Sequence, residues 1–254
     1  MKGLDKQVNY IWFDLGYTLV YVNREERYQK KLKELGVDVS LEKLTLAFHL
    51  ADKYFMRKHP GLLGKKWEMY ATAYHQVLHT YLELDIDFRS KALIEPDDPN
   101  RPKGHWKAFE ATIPTLQMLK KQGIGVGLIS NWNETARNVL KETEILSYLD
   151  HIVISSEVGY EKPDERIFKI ALDQANISAN NCLYVGDNFY DDVIGSRKVG
   201  MPSILINPFG KKGIEEVSNV QIISMDRCFS PFTASCSLNF YFHNVQHPME
   251  DTLR

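Results

Sequence analysis

The chain has 254 residues, 44% hydrophobic and 25% charged, with a formal net charge of -2 at pH 7. That is globular composition with apolar mass for one large domain or two unequal ones. The charge balance leaves no electrostatic footprint for nucleic acid or an anionic membrane, and no apolar run is long enough to span a bilayer. The start, Met1-Lys2-Gly3-Leu4-Asp5-Lys6, lacks the apolar stretch of a signal peptide, and Cys182, Cys228 and Cys236 have neither zinc-ligand spacing nor an even framework. A cytoplasmic protein with free thiols is expected.

In chain order, the first predicted element is a buried strand, Val8-Asn9-Tyr10-Ile11-Trp12-Phe13, which stops on Asp14. Gly16 follows, where the chain can turn sharply and a ligand can approach the backbone. Thr18 to Val22 reads as a short extended flap. From about Arg24 to His79 the period is helical: Tyr28, Leu32 and Leu35 share a face, as do Leu41, Leu44, Ala47, Phe48 and Ala51, and then Trp67, Tyr70, Tyr74 and Leu78. Gly36 ends the first helix, Ser40 is placed to cap the second, and Pro60-Gly61 with Gly64 marks a turn. Glu95 to Pro102 cannot be regular structure and reads as a return linker.

After that linker the pattern alternates. A helix over Leu116–Lys121 stops at Gly123, and a strand over Ile124–Ile129 ends on Ser130-Asn131. A helix from Glu134 to about Thr143 precedes a strand at Ile152–Ile154, and another helix covers Glu165–Ala175. The strand Leu183–Gly186 ends on Asp187; a helix from Asp192 to Val199 closes at Gly200, and Ser203–Ile206 is the fifth strand. Such alternation predicts an α/β fold, a parallel sheet with helices on both faces. The tail from about Asp226 has no Lys and an alternating stretch, Leu238–His243; an edge hairpin, an irregular arm and poor order are all open readings.

Parallel strands share a carboxyl edge, so Asp14, Ser130-Asn131, the Gly159–Asp164 loop with Lys162, and Gly186-Asp187 with Asp191-Asp192 are expected to converge. Convergent acids repel and raise one another's pKa; Mg²⁺ relieves that with a few carboxylates plus phosphate oxygens. A Ser hydroxyl and a Lys ammonium suit a phosphoryl group, and an ionised aspartate can attack phosphorus.

The order Asp14-Leu15-Gly16-Tyr17-Thr18-Leu19, Ser130-Asn131, Glu157–Asp164 with Lys162-Pro163, and Val185-Gly186-Asp187 through Asp192–Ser196 resembles the haloacid dehalogenase-like hydrolase superfamily over about residues 8–207. The resemblance implies a Rossmann-like, doubly wound core over 1–22 and 103–225 and an inserted α-helical cap over 23–102, leaving the tail 226–254. It implies a Mg²⁺-dependent phosphatase acting on a small phosphorylated metabolite, as a monomer or homodimer. By it Asp14 is nucleophile and metal ligand, and Ser130, Asn131 and Lys162 hold the phosphoryl group. Asp187 and the Gly16 carbonyl complete the metal site, with Asp192, and less so Asp191, holding metal-bound waters.

One departure stands out. Most phosphatases of this family carry an acid/base Asp where this chain has Gly16. Loss of such a group costs ~10²- to 10⁴-fold. Tyr17, or His49, His59, His75 and His79 of the helical block, are candidate substitutes. The alternative is a non-catalytic module that binds metal and phosphate. A metal-independent dehalogenase is a third reading, disfavoured because Asp187 is present. Blander roles compete throughout: Asp187 and Ser130 as caps, Asp191 as a solvated helix start, the histidines as core or surface, the aromatics Trp67, Tyr70 and Tyr74 as bundle core, and Cys182 as core packing. Gly125 and Gly127 lie inside a strand and are no dinucleotide fingerprint.

Overall fold

The apolar run before Asp14 becomes an inner strand, β1 (Tyr10–Phe13), buried along its whole length. In the computed structural model the described residues are 8–65, 67–84 and 106–223. The linker Glu95–Pro102 and the tail from Asp226, with Cys228 and Cys236, lie outside them. Strand β1 is flanked by β4 (Gly125–Ser130) and β6 (Cys182–Gly186), and the sheet extends to β5 (His151–Ile154) on one side and to β7 (Ser203–Ile206) and β8 (Gln221–Ile223) on the other. The order is β5-β4-β1-β6-β7-β8 and every neighbouring pair is parallel. Inner parallel strands are covered on both faces, which is why these read as continuous apolar runs.

Register explains the two strand glycines. Tyr10 pairs with Gly125 and Trp12 with Gly127, and a Cβ at either glycine would collide with the aromatic ring opposite. The same rings pair on their other side with Cys182 and Tyr184. Tyr10, Trp12, Cys182, Tyr184, Ile129 and Phe168 share one buried core.

The helices joining these strands are α4 (Thr112–Lys121), α5 (Ala136–Glu142), the single turn α6 (Ser155–Val158), α7 (Glu165–Ala175) and α8 (Ile194–Lys198), numbered after the three helices among the described residues of the insertion. Helix α7 has the predicted limits, with Asp164 capping its start by accepting from the Arg166 N–H at 2.9 Å. Three features escaped the periodicity. Strand β8 is three residues long, too short to show a period. Helix α6 is one turn. The element expected to begin at Asp192 starts instead as a turn of π-helix, Phe189–Val193.

The chain folds into two compact units. Of the described residues, one unit holds the sheet, taking in 8–20, Ala108–Gly210 and 219–223. The other holds the described residues of 21–107 together with Lys211–Ser218. The chain passes out through β2 (Val20–Tyr21) and back through β3 (Lys107–Ala108), which pair as a two-stranded sheet.

The second unit is built on α1 (Arg24–Glu34), α2 (Leu41–Lys58) and α3 (Ala71–Leu82). Ser40 caps α2, its Oγ accepting from the Lys43 N–H at 3.2 Å. Tyr28, Leu32, Leu44, Ala47, Phe48, Ala51, Tyr74 and Leu78 form its core, with Trp67 and Tyr70 packed against it. Trp67 belongs to a 3₁₀ turn, Trp67–Met69, ahead of α3. Leu35 and Leu41, expected on buried faces, are 43% and 40% exposed, because they stand at the end of α1 and the start of α2, where the stripe runs out. A polar knot ties the three helices: the Arg24 guanidinium pairs with the Asp52 carboxylate and lies 4.6 Å over the Phe48 ring, and the Tyr74 hydroxyl donates to Asp52 at 2.5 Å. Segment Lys211–Ser218 is held to α2 by a 3.0 Å hydrogen bond between His49 Nε2 and the Lys212 carbonyl, by Gly213 lying against the Lys53 side chain, and by the Arg57–Glu216 ion pair at 3.1 Å.

Candidate active site at the carboxyl edge of the sheet

Asp14 leaves the end of β1 with its N–H bonded to the Val185 carbonyl at 2.9 Å, so the neighbouring strand fixes its backbone. The chain then turns tightly. The Tyr17 N–H donates to the Val20 carbonyl at 2.7 Å, and the Leu19 and Val20 N–H groups donate to the Leu15 carbonyl at 2.9 and 3.0 Å. Tyr17 has φ 53°, a left-handed conformation that a bulky residue adopts only when its surroundings impose it.

Two donors converge on one oxygen of Asp14. Ser130 Oγ, at the end of β4, donates to Oδ1 at 2.9 Å, and Lys162 Nζ donates to the same atom at 2.8 Å. Lys162 is buried, 4% exposed, and also donates to Asp192 Oδ1 at 2.6 Å and to the Tyr184 hydroxyl at 2.9 Å. Burial works against its charge, but the Asp14 and Asp192 carboxylates outweigh burial and hold the ammonium well above the usual lysine range.

Asn131 seats that lysine. Its Nδ2 donates to the Lys162 carbonyl at 2.9 Å, and its Oδ1 accepts from the Lys162 N–H at 2.7 Å. Both ends of the amide hold the lysine backbone, a task the sequence did not suggest for a residue expected on the phosphoryl group. Gly195 has a related structural duty: a Cβ there would collide with the Phe168 ring and press on Pro163.

The acidic side is shaped by the π-turn. Asn188 accepts the Tyr190 and Asp191 N–H groups at 3.0 and 3.3 Å, and its own N–H donates to Asp192 Oδ2 at 2.9 Å. Asp192 therefore folds back over Gly186, where a Cβ would collide with its carboxylate. Asp14, Asp187 and Asp192 each offer an oxygen atom, all within 4.8 Å of one another. Asp191 is buried too. Its Oδ2 accepts from Asn188 Nδ2 at 2.7 Å, while its Oδ1 makes no hydrogen bond. Burial, then Asp192 beside it, pushes the Asp191 carboxyl up to about 7.

These residues fit a hard divalent cation. The donors are all carboxylate oxygens, one buried oxygen is unsatisfied, and the acids outnumber the buried ammonium. Mg²⁺ suits such a set. Gly16 lies two residues past Asp14 and brings no side chain.

Sequence reasoning missed Tyr184. Its one signal was a tyrosine inside an otherwise apolar inner strand, because a buried hydroxyl requires a partner.

The four histidines considered as proton donors belong to the helical unit. His59 is exposed. His79 is bonded to the Tyr28 hydroxyl, and His75 stacks on the Tyr28 ring with centroids 5.6 Å apart. Burial first, and then Lys53, pulls His49 down to about 4; burial and then His79 do the same to His75. An unfolded histidine titrates near ~6.5, so between that pH and about 4 the unfolded chain binds more protons than the folded one. Stability is therefore full above ~6.5 and is lost as pH falls toward 4. Urea unfolding at pH 7.5 and 5.0 should differ by on the order of 2 kcal/mol per buried histidine, and His75→Phe should flatten that slope. Equal stability at the two pH values would contradict the neutral, buried assignment.

Comparison with known proteins follows the same outline. The family model described as haloacid dehalogenase-like hydrolase matches residues 13–206. The mouse (Mus musculus) haloacid dehalogenase-like hydrolase domain-containing protein 3 is 27% identical over 212 residues, which is 79% of this chain and 82% of that protein. A glyceraldehyde 3-phosphate phosphatase of Methanothermobacter thermautotrophicus is 36% identical over 107 residues, 40% of this chain and 45% of that protein. Among solved structures, a Bacillus subtilis HAD-hydrolase, YfnB, bound to magnesium shares the fold with a TM-score of 0.56 at 14% identity, covering 85% of this chain and 94% of its own. No helix among the described residues is long and apolar enough to cross a membrane.

Proposed function

We propose, since the chain belongs to the haloacid dehalogenase-like hydrolase family, that it hydrolyses phosphate esters or acyl phosphates of small metabolites, with Asp14 as nucleophile. One observation carries this reading: Ser130 and Lys162 both donate to Asp14 Oδ1, at 2.9 and 2.8 Å, and the same carboxylate belongs to the acidic cluster with Asp187 and Asp192. The small-metabolite class draws support from the glyceraldehyde 3-phosphate phosphatase relative.

Two donors on Oδ1 fix the plane of the carboxylate. Its attack forms a bond to phosphorus as the bond to the leaving oxygen breaks, giving an aspartyl-phosphate. Water then cleaves that anhydride, returning the Asp14 carboxylate and inorganic phosphate. Lys162 holds positive charge beside the reacting group throughout, and Ser130 orients it. Asp14, Asp187, Asp192 and the Gly16 carbonyl would hold Mg²⁺, with Asp191 beside them. When bound, the ion supplies charge neutralisation for the phosphoryl oxygens. In this reading the helical unit is the cap that selects substrate.

Gly16 brings no proton donor, so leaving groups that depart unprotonated should be favoured over simple alkoxides by ~10²- to 10⁴-fold. Gly16 also supports a second reading, a module that binds metal and phosphate without turnover. The test is phosphate release from acetyl phosphate and p-nitrophenyl phosphate with Mg²⁺, against an EDTA control. Mg²⁺-dependent turnover supports the hydrolase. Retained binding of Mg²⁺ and inorganic phosphate with no release supports the binding module instead.

A further inference from the structure

We infer that Tyr184 is a positioning residue whose phenol sets the Lys162 ammonium against Asp14 and locks it to the strand end that carries Ser130. An ammonium has three N–H donors. All three of Lys162 are engaged, with Asp14 Oδ1 at 2.8 Å, Asp192 Oδ1 at 2.6 Å and Tyr184 Oη at 2.9 Å. Two of these acceptors are carboxylates that a bound cation also attracts. Tyr184 is the third, and it is neutral and fixed by its own strand.

The phenol is itself anchored. It has one proton to give and accepts from Lys162. Ile129 O at 2.9 Å takes that proton, because the alternative acceptor, Asp192 Oδ1, is farther at 3.2 Å and already receives the lysine. Ile129 immediately precedes Ser130 on β4. One hydroxyl thus touches the lysine, the carboxylate that balances it, and the backbone beside the serine, while its strand runs on into Asp187. The ring is held without freedom, buried to 0% exposure, edge-on to Phe168 at 5.4 Å and paired with Trp12 across the sheet. Buried networks of this kind are rigid only when every member is satisfied. Without the hydroxyl, the buried ammonium is left one acceptor short, and Asp192, the nearer of its two carboxylates at 2.6 Å against 2.8 Å, draws it away from Asp14.

The kinetic consequence rests on the phosphatase reading; the geometric one does not. The experiment compares wild type, Tyr184→Phe, which keeps the ring, and Phe168→Leu, which removes the ring beneath it and leaves the hydroxyl. Each is assayed with acetyl phosphate and Mg²⁺, melted, and crystallised. Tyr184→Phe is expected to lower kcat by about 10- to 100-fold with KM within about twofold, and its crystal structure to show Lys162 Nζ beyond hydrogen-bond reach of Asp14. Phe168→Leu is expected to lower Tm with kcat retained. A Tyr184→Phe enzyme with unchanged kcat, with loss confined to KM, or with Lys162 still on Asp14 overturns the inference. If wild type turns nothing over, the phosphatase reading fails by itself, and the Lys162 position in Tyr184→Phe alone decides: displacement upholds the positioning role and retention ends it.

Discussion

With Asp14 replaced by Asn, phosphate release from acetyl phosphate is expected to fall by ~10⁴-fold or more, the scale seen when a nucleophile is removed from a group that acts as a unit. The substitution is close to isosteric, and an amide oxygen can still accept from Ser130 and Lys162, which meet at 2.9 and 2.8 Å on the present Oδ1. What disappears is the charge that attacks phosphorus. Folding should survive, because Lys162 retains Asp192 at 2.6 Å as its counter-ion. The check is steady-state release by Asp14→Asn beside wild type, with urea unfolding to confirm the fold. Residual turnover within tenfold of wild type would remove Asp14 from the role of nucleophile.

Lys162→Met is expected to be the most destabilising single change at this edge of the sheet. The lysine side chain is 3% exposed and its two carboxylate partners 13% and 1%. Removing one member of a buried ion pair costs about 3–5 kcal/mol, chiefly because charge is left buried and unpaired. The pH dependence has a definite sign. Without the ammonium, burial holds the Asp192 carboxyl still further above its ordinary range, so the variant loses stability as pH rises above the unfolded carboxylate range of ~4. The gap to wild type in urea unfolding should therefore be wider at pH 8 than at pH 5, and turnover should be lost at both. A variant as stable as wild type at pH 8 would mean the two carboxylates are solvated without their partner.

How much of this was visible beforehand follows from what strand ends and periods can carry. Asp14, Ser130 and Asp187 each terminate an apolar run, and topology alone brings such termini to one edge. Lys162 needed the longer motif that ends Lys162-Pro163-Asp164, since no period marks it. Asn131 was legible as a strand-end polar residue, yet its grip on the Lys162 backbone depends on two loops meeting. Tyr184 was hidden for a different reason: within a strand buried on both faces nothing in the residue types says which hydroxyl meets a lysine 22 positions away. The exposure of Leu35 and Leu41 was missed because a periodic face has no marked end. The attachment of segment Lys211–Ser218 to α2 gave no signal in the sequence, because it rests on single side-chain contacts spread along that helix.

That segment alters what can be exchanged between relatives. The chain changes unit at Val20–Tyr21, Lys107–Ala108, Gly210–Lys211 and Ser218–Asn219. The helical part is consequently not a cassette with one entry and one exit. A chimaera that transplants residues 21–107 alone would leave the donor α2 without the carbonyl that His49 engages and the carboxylate that Arg57 pairs with, and would press a foreign strand–strand connection against it. Recombination that respects this architecture moves two stretches together, so the helical part and the connection between β7 and β8 are heritable as one piece although more than a hundred residues separate them.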